Sequence, residues 1–154
     1  MTSLCCDVIQ KLQGKTLVTA ESLTGGGIGA ALTSVSGSSA VYKGGVISYT
    51  NEVKHRILGV PADVLEKYGA VSGPVAGAMA EGVRKLLDAD VSVSVTGLAG
   101  PGGDEYGNSV GTVFIGYSDA EITEVKRFLF CGDRESIRKQ TAEEALKLIL
   151  THNM

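Results

Sequence analysis

A chain of 154 residues with 44% hydrophobic and 20% charged residues has the bulk for one domain with a real core, which excludes a disordered chain. Its formal charge of −3 gives no electrostatic footprint for nucleic acid, which leaves open only a local basic patch. No apolar run nears the ~20 residues of a membrane-spanning helix, and the start MTSLCCDVIQKLQGK lacks the basic and apolar regions of a leader. Cys5, Cys6 and Cys131 are odd in number and two are adjacent, which suits neither a disulfide framework nor a zinc site. The expectation is a cytoplasmic protein with free thiols.

Residues 3–13 carry Leu4, Cys5, Val8, Ile9 and Leu12 at helical spacing, stopped by Gly14. Residues 16–20 read as a short buried strand, 24–35 as a small-residue helix, and 45–50 as a second strand. Asn51 offers a cap for a helix over NEVKHRIL, and Pro61 opens another that Gly69 closes. Pro74 begins a longer helix to about Leu87, rich in small residues. Residues 91–96 alternate as a strand, and a glycine-rich loop, LAGPGGDEYGNS, follows. VGTVFIGYS and EITEVKRFLF read as strands of a hairpin around a Ser-Asp-Ala turn. Gly132 or Asp133 then caps a last helix carrying Ile137, Ala142, Ala145, Leu146 and Ile149. Alternating helices and strands with one antiparallel pair predict a single-domain, three-layer α/β/α sandwich with a mixed sheet.

The 21 glycines are roughly twice the usual share of about 7%. Gly25, Gly27 and Ala30 fit the dinucleotide pattern G-x-G-x-x-A after a strand. The acidic residue that should end a second strand is missing, since Glu52 starts a helix instead. The loop therefore reads equally as a tight turn or as a ligand loop. In the second case the N–H groups of Gly25 and Gly26 would suit an anion, with hydroxyls from Ser22 and Thr24. VTGLAGPGGD also follows a strand, and ligands of open α/β sheets gather outside such strand ends.

Metal chemistry has little support. Asp104 and Glu105 are adjacent loop residues, His55 sits on a short helix, and His152 lies near the end of the chain. With no histidine in GSSAVYKGGVISYTNEVK, a serine there would need a lysine of depressed pKa as its base. Ser39 precedes Tyr49 by ten residues and Lys54 by fifteen. That spacing leaves convergence open, because a lysine in a first helical turn is usually solvated and a strand tyrosine usually packed.

AESLTGG, GSSAVYKGGVISYTNEVK, GAVSGPVAGAMAEGV, VTGLAGPGG, VGTVFIG and GDRESIRKQT occur in this order. Together they resemble the C-terminal domain of the CinA family over about residues 3–150. The resemblance implies a nicotinamide mononucleotide deamidase, releasing nicotinic acid mononucleotide and ammonia by a serine mechanism without metal or cofactor. Larger members add an N-terminal molybdopterin-binding-like domain, and the expectation here is the stand-alone form. Carried over by motif, Ser39 would be the nucleophile, with Tyr49 and Lys54 as activating partners. Ser22, Thr24, Gly25, Gly26, Thr96, Gly97 and Arg138 would surround the pyridine nucleotide. From its position alone, Arg138 reads equally as a surface residue pairing with Glu135.

Two departures stand out. Leu23 replaces the family's usual cysteine, and Asn108-Ser109 replaces a frequent Lys-Pro, which puts fine specificity in question. The resemblance also implies a homo-oligomer with a small-molecule substrate, no nucleic acid and no membrane. The competing readings are a non-catalytic nucleotide-binding regulatory module and, lacking a basic stripe, direct nucleic-acid binding.

Overall fold

The structure, a computed structural model, describes residues 1–154. Helix α1 (Thr2–Lys11) leads to strand β1 (Leu17–Glu21), helix α2 (Gly27–Thr33) and a 3-10 turn at Ser38–Ala40. Strand β2 (Tyr42–Ile47), helices α3 (Asn51–Arg56), α4 (Ala62–Tyr68) and α5 (Gly73–Leu86), and strand β3 (Val91–Gly97) follow. The hairpin β4 (Thr112–Ser118) and β5 (Thr123–Leu129) precedes the long helix α6 (Arg134–His152). No helix is long and apolar enough to cross a membrane.

The strands lie in the order β2-β1-β3-β4-β5. β1 pairs parallel with β2 and β3, while β3–β4 and β4–β5 pair antiparallel, giving the mixed sheet that the sequence predicted. Period-2 alternation divides the core between the two faces. Leu17, Val91, Val93 and Val95 pack with Val8, Ile28, Leu146 and Ile149 beneath α1, α2 and α6. Val18 and Ala20 pack with Val75, Met79 and Val83 beneath α5. Each fully buried aliphatic side chain contributes about 1.5–3 kcal/mol, which fixes the register of the central strands.

Helix α5 approaches the sheet closely because both surfaces are small. Ser92 Oγ and Ser94 Oγ donate to the carbonyls of Ala80 and Ala76, each at 2.6 Å. On the far side of α5, a Cβ at Gly82 would run into the Leu58 carbonyl, so the segment after α3 lies directly on the helix. Val60 N donates to Lys54 O at 3.1 Å and His55 Nδ1 pairs with Val60 O at 2.8 Å. These contacts tie α3 to that segment.

Three boundaries differ from the sequence reading. α2 starts at Gly27 rather than residue 24, because residues 22–26 form a turn in which Gly25 (φ 59°) and Gly26 (φ 98°) are left-handed. β2 starts earlier and ends at Ile47, in register with Glu21, so residues 48–50 leave the sheet. The cap of α3 is Thr50, whose side chain accepts from Val53 N at 3.3 Å, while Asn51 is the first helical residue.

Candidate active site

The strand order reverses at β1: the chain moves outward to β2 and later returns to β3 on the other side. Loops leaving the C-terminal ends of β1 and β3 part at such a point and leave a cleft. Here the cleft is a cavity of about 330 Å³. Ser22 and Leu23 follow β1, Tyr49 and Lys54 follow β2, Thr96 and Gly97 end β3, and Leu98 to Gly100 with Gly102 follow it along the wall. Ala70, Val71 and Arg134 complete it.

Lys54 dominates the chemistry. It is the fourth residue of α3, yet its side chain turns inward and the residue is 1% exposed. Nζ lies 3.0 Å from Ser22 Oγ, 2.7 Å from Ser48 O and 3.4 Å from Tyr49 O. Burial lowers its pKa from 10.5 to about 8, since removal from water disfavours the ammonium and no carboxylate lines the cavity to offset this. A neutral amine in this position has two N–H groups for the two carbonyls. Its lone pair is then left for the Ser22 hydroxyl.

Ser22 is 7% exposed and is held at both sides of the chain. Its N–H donates to Val95 O at 3.1 Å, and Ser48 N donates to Glu21 O at 2.7 Å. Below it, the buried Glu21 carboxylate accepts from Thr24 Oγ1 at 2.6 Å, Ile28 N at 2.9 Å and Gly29 N at 3.0 Å. From α6, Arg138 donates through Nε to Leu23 O at 2.9 Å and through a terminal nitrogen to Thr24 O at 3.2 Å. The turn carrying Ser22 is thus fixed by a carboxylate inside and a guanidinium outside. The N–H groups of Leu23 and Thr24 donate to no protein acceptor.

Ser22, Tyr49, Lys54, Thr96 and Gly97 are therefore brought to one cavity. Ser39 is not. It is exposed in the 3-10 turn before β2, at the edge where the parallel strands begin, whereas Lys54 lies beyond their ends. Five residue steps of β2, about 17 Å at ~3.3 Å each, separate the two edges. Within this chain, parallel strand geometry therefore holds Ser39 and Lys54 at opposite edges of the sheet.

The backbone donors expected to meet an anion at the glycine turn divide: Gly26 N donates to no protein acceptor, whereas Gly25 N is engaged. Gly25 N donates to Ser22 O at 3.0 Å, and Glu21 takes the first free N–H groups of α2. The carboxylate thus occupies the helix N-terminus that a phosphate would need. Thr24 points into this network, and Arg138 pairs with carbonyls rather than with Glu135. Thr96 Oγ1 is engaged with Ala70 O at 2.8 Å. Gly97 is needed for close packing, since a Cβ there would sit 2.6 Å from Val113 Cγ2.

Tyr49 is 61% exposed, and its phenol meets Arg134 at 3.4 Å rather than Lys54 or Ser22. Arg134, which the sequence reading passed over, also donates to Gly100 O at 2.7 Å. Asp104 is engaged within its own loop, accepting from Asn108 Nδ2 at 2.8 Å, Asn108 N at 2.9 Å and Tyr106 N at 3.0 Å. Asn108 Nδ2 also donates to Val71 O at 3.1 Å, so this departure from the family pattern ties the loop to the start of α5.

Comparison with known proteins agrees with this architecture. The family model of the CinA C-terminal domain matches residues 2–152. A CinA-like protein of Parasynechococcus marenigrum is 53% identical over 134 residues, covering 86% of this chain and 32% of that protein. A CinA-like protein of Thermotoga neapolitana is 46% identical over 138 residues, covering 90% of this chain and 34% of that protein. The chain thus spans about a third of the length of the curated relatives it matches. A crystal structure of a competence-damaged protein (CinA) superfamily protein from Escherichia coli superposes with TM-score 0.96 at 35% identity, covering 98% of this chain and 89% of that one. The competence/damage inducible protein CihA of Agrobacterium tumefaciens gives TM-score 0.96 at 36% identity, covering 99% and 95%. The chain belongs to the CinA C-terminal domain family.

Proposed function

We propose that this chain is a serine amidase that hydrolyses the carboxamide of nicotinamide mononucleotide to nicotinic acid mononucleotide and ammonia. The observation that carries the reading is a buried lysine, without a carboxylate in its cavity, 3.0 Å from a serine hydroxyl at the topological switch point. The identity of the substrate rests on the family resemblance.

Ser22, in place of Ser39, is the nucleophile of this mechanism. Neutral Lys54 takes the Ser22 proton as Oγ bonds to the carboxamide carbon. The carbonyl π electrons move to oxygen, and the N–H groups of Leu23 and Thr24 are suited to stabilise that oxyanion. The intermediate collapses, the C–N bond breaks, and the Lys54 ammonium returns its proton to the leaving nitrogen, which departs as ammonia. Water then gives a proton to Lys54 and attacks the ester. The new acid forms as Ser22 Oγ leaves with the proton.

The test is ammonia release from nicotinamide mononucleotide by purified, chelator-treated protein beside Ser22→Ala and Ser39→Ala. Turnover by the parent and by Ser39→Ala, with loss in Ser22→Ala, is expected. An active Ser22→Ala protein refutes the nucleophile. Calorimetric binding without ammonia release identifies a non-catalytic binding module instead.

A further inference from the structure

Two cations and no carboxylate line the cavity, in a chain with 17 acidic and 14 basic residues. The two differ in kind. Lys54 is buried and able to be neutral, whereas the Arg134 guanidinium is exposed and always charged. Arg134 takes no part in the ion pairs of the chain, which are Arg56–Glu52, Lys147–Glu144 and His152–Glu124. Its protein partners are two neutral oxygens, Gly100 O and Tyr49 Oη. A guanidinium has five N–H groups, so most of its donating capacity is unused by the protein, in a residue that lines the cavity. The neighbouring acids look elsewhere: the Asp133 carboxylate caps α6 through Ser136 N at 2.8 Å, and Glu135 lines a different cavity beside Arg138.

An unpaired guanidinium fixed at the lip of a cavity free of carboxylates is a fork for a tetrahedral or planar anion. We infer that Arg134 is the specificity-determining residue of this site and engages an anionic substrate group of the phosphate monoester class. Arg138, implied in this role by the resemblance, has its donors directed at the Leu23 and Thr24 carbonyls instead. The inference rests on the amidase reading for the bond that is cut, but not for the anion.

The test compares nicotinamide mononucleotide with its dephosphorylated riboside in the parent, Arg134→Ala and Arg134→Lys. The measured quantity is the ratio of kcat/KM for the two substrates. Loss of a charge-assisted contact lowers that ratio about 10- to 100-fold in Arg134→Ala, through KM for the nucleotide, and Arg134→Lys recovers part of it. A merely structural tether of Gly100 and Tyr49 would impair both substrates alike. An unchanged ratio in Arg134→Ala therefore overturns the inference. If the parent releases no ammonia, calorimetry with the same two compounds decides. A phosphate preference in the parent that is lost in Arg134→Ala supports the anion role while the amidase reading fails. No phosphate preference in the parent overturns the role.

Discussion

Replacing Lys54 with methionine removes the amine while keeping most of the side-chain volume. The fall of its pKa from 10.5 to about 8 means that burial penalises the ammonium by roughly 3 kcal/mol. Below pH 8 the lysine is protonated in both folded and unfolded chains, and the folded state bears the whole penalty. Between about pH 8 and 10.5 the folded protein releases a proton that the unfolded chain retains, so stability rises with pH. The parent should gain about 3 kcal/mol across that window from this residue, and Lys54→Met should gain none of it. Methionine also leaves the Ser48 and Tyr49 carbonyls without the Nζ donor, a loss of ~1–3 kcal/mol that does not vary with pH. Urea unfolding of both proteins at pH 7, 8.5 and 10 measures the difference. The same ionisation governs turnover: about 10% of Lys54 is neutral at pH 7, half at pH 8 and about 90% at pH 9. Ammonia release should therefore rise nearly tenfold from pH 6 to 7, level off above about pH 9, and vanish in Lys54→Met. A stability difference that is flat with pH, or a parent rate that is flat below pH 7, would refute the argument.

Glu21→Gln replaces a pure acceptor with a group whose NH₂ must face the N–H of Ile28 or Gly29. Unfolding should show a loss of about 2–3 kcal/mol, with kcat falling more than KM changes, and unaltered stability would show that the carboxylate is not the internal cap. Arg138→Ala releases the Leu23 and Thr24 carbonyls that brace the Ser22 turn. About a tenfold fall in kcat is expected, following modest misplacement of the nucleophile. A selective rise in KM for the phosphorylated substrate would instead make Arg138 a ligand group.

Much of the fold was legible because it rests on local patterns. The periodicity of Cys5, Val8, Ile9 and Leu12, the Gly14 stop, the Pro74 start and the β4–β5 turn each act within a few residues. The boundaries that moved were set by distant partners. β2 ends where it does because Ile47 pairs with Glu21, and α2 starts late because Glu21 draws in the N–H groups of Ile28 and Gly29. Lys54 was legible as a candidate base, but its surroundings were not, since a lysine on a short helix gives no local sign of burial.

The sequence by itself determined the alternation of helices and strands, the two glycine-rich turns after strands, and the family. Tertiary structure alone decided which serine meets the lysine. Ser39 and Lys54 share one motif and lie fifteen residues apart, yet parallel β2 carries them to opposite edges of the sheet. Ser22 is thirty-two residues from Lys54 and only 3.0 Å away. Parallel pairing of β1 with β2 aligns their C-terminal ends, and the reversal of strand order at β1 opens the space between them. Proximity across a sheet is set by strand order and direction, which no local run of residues encodes.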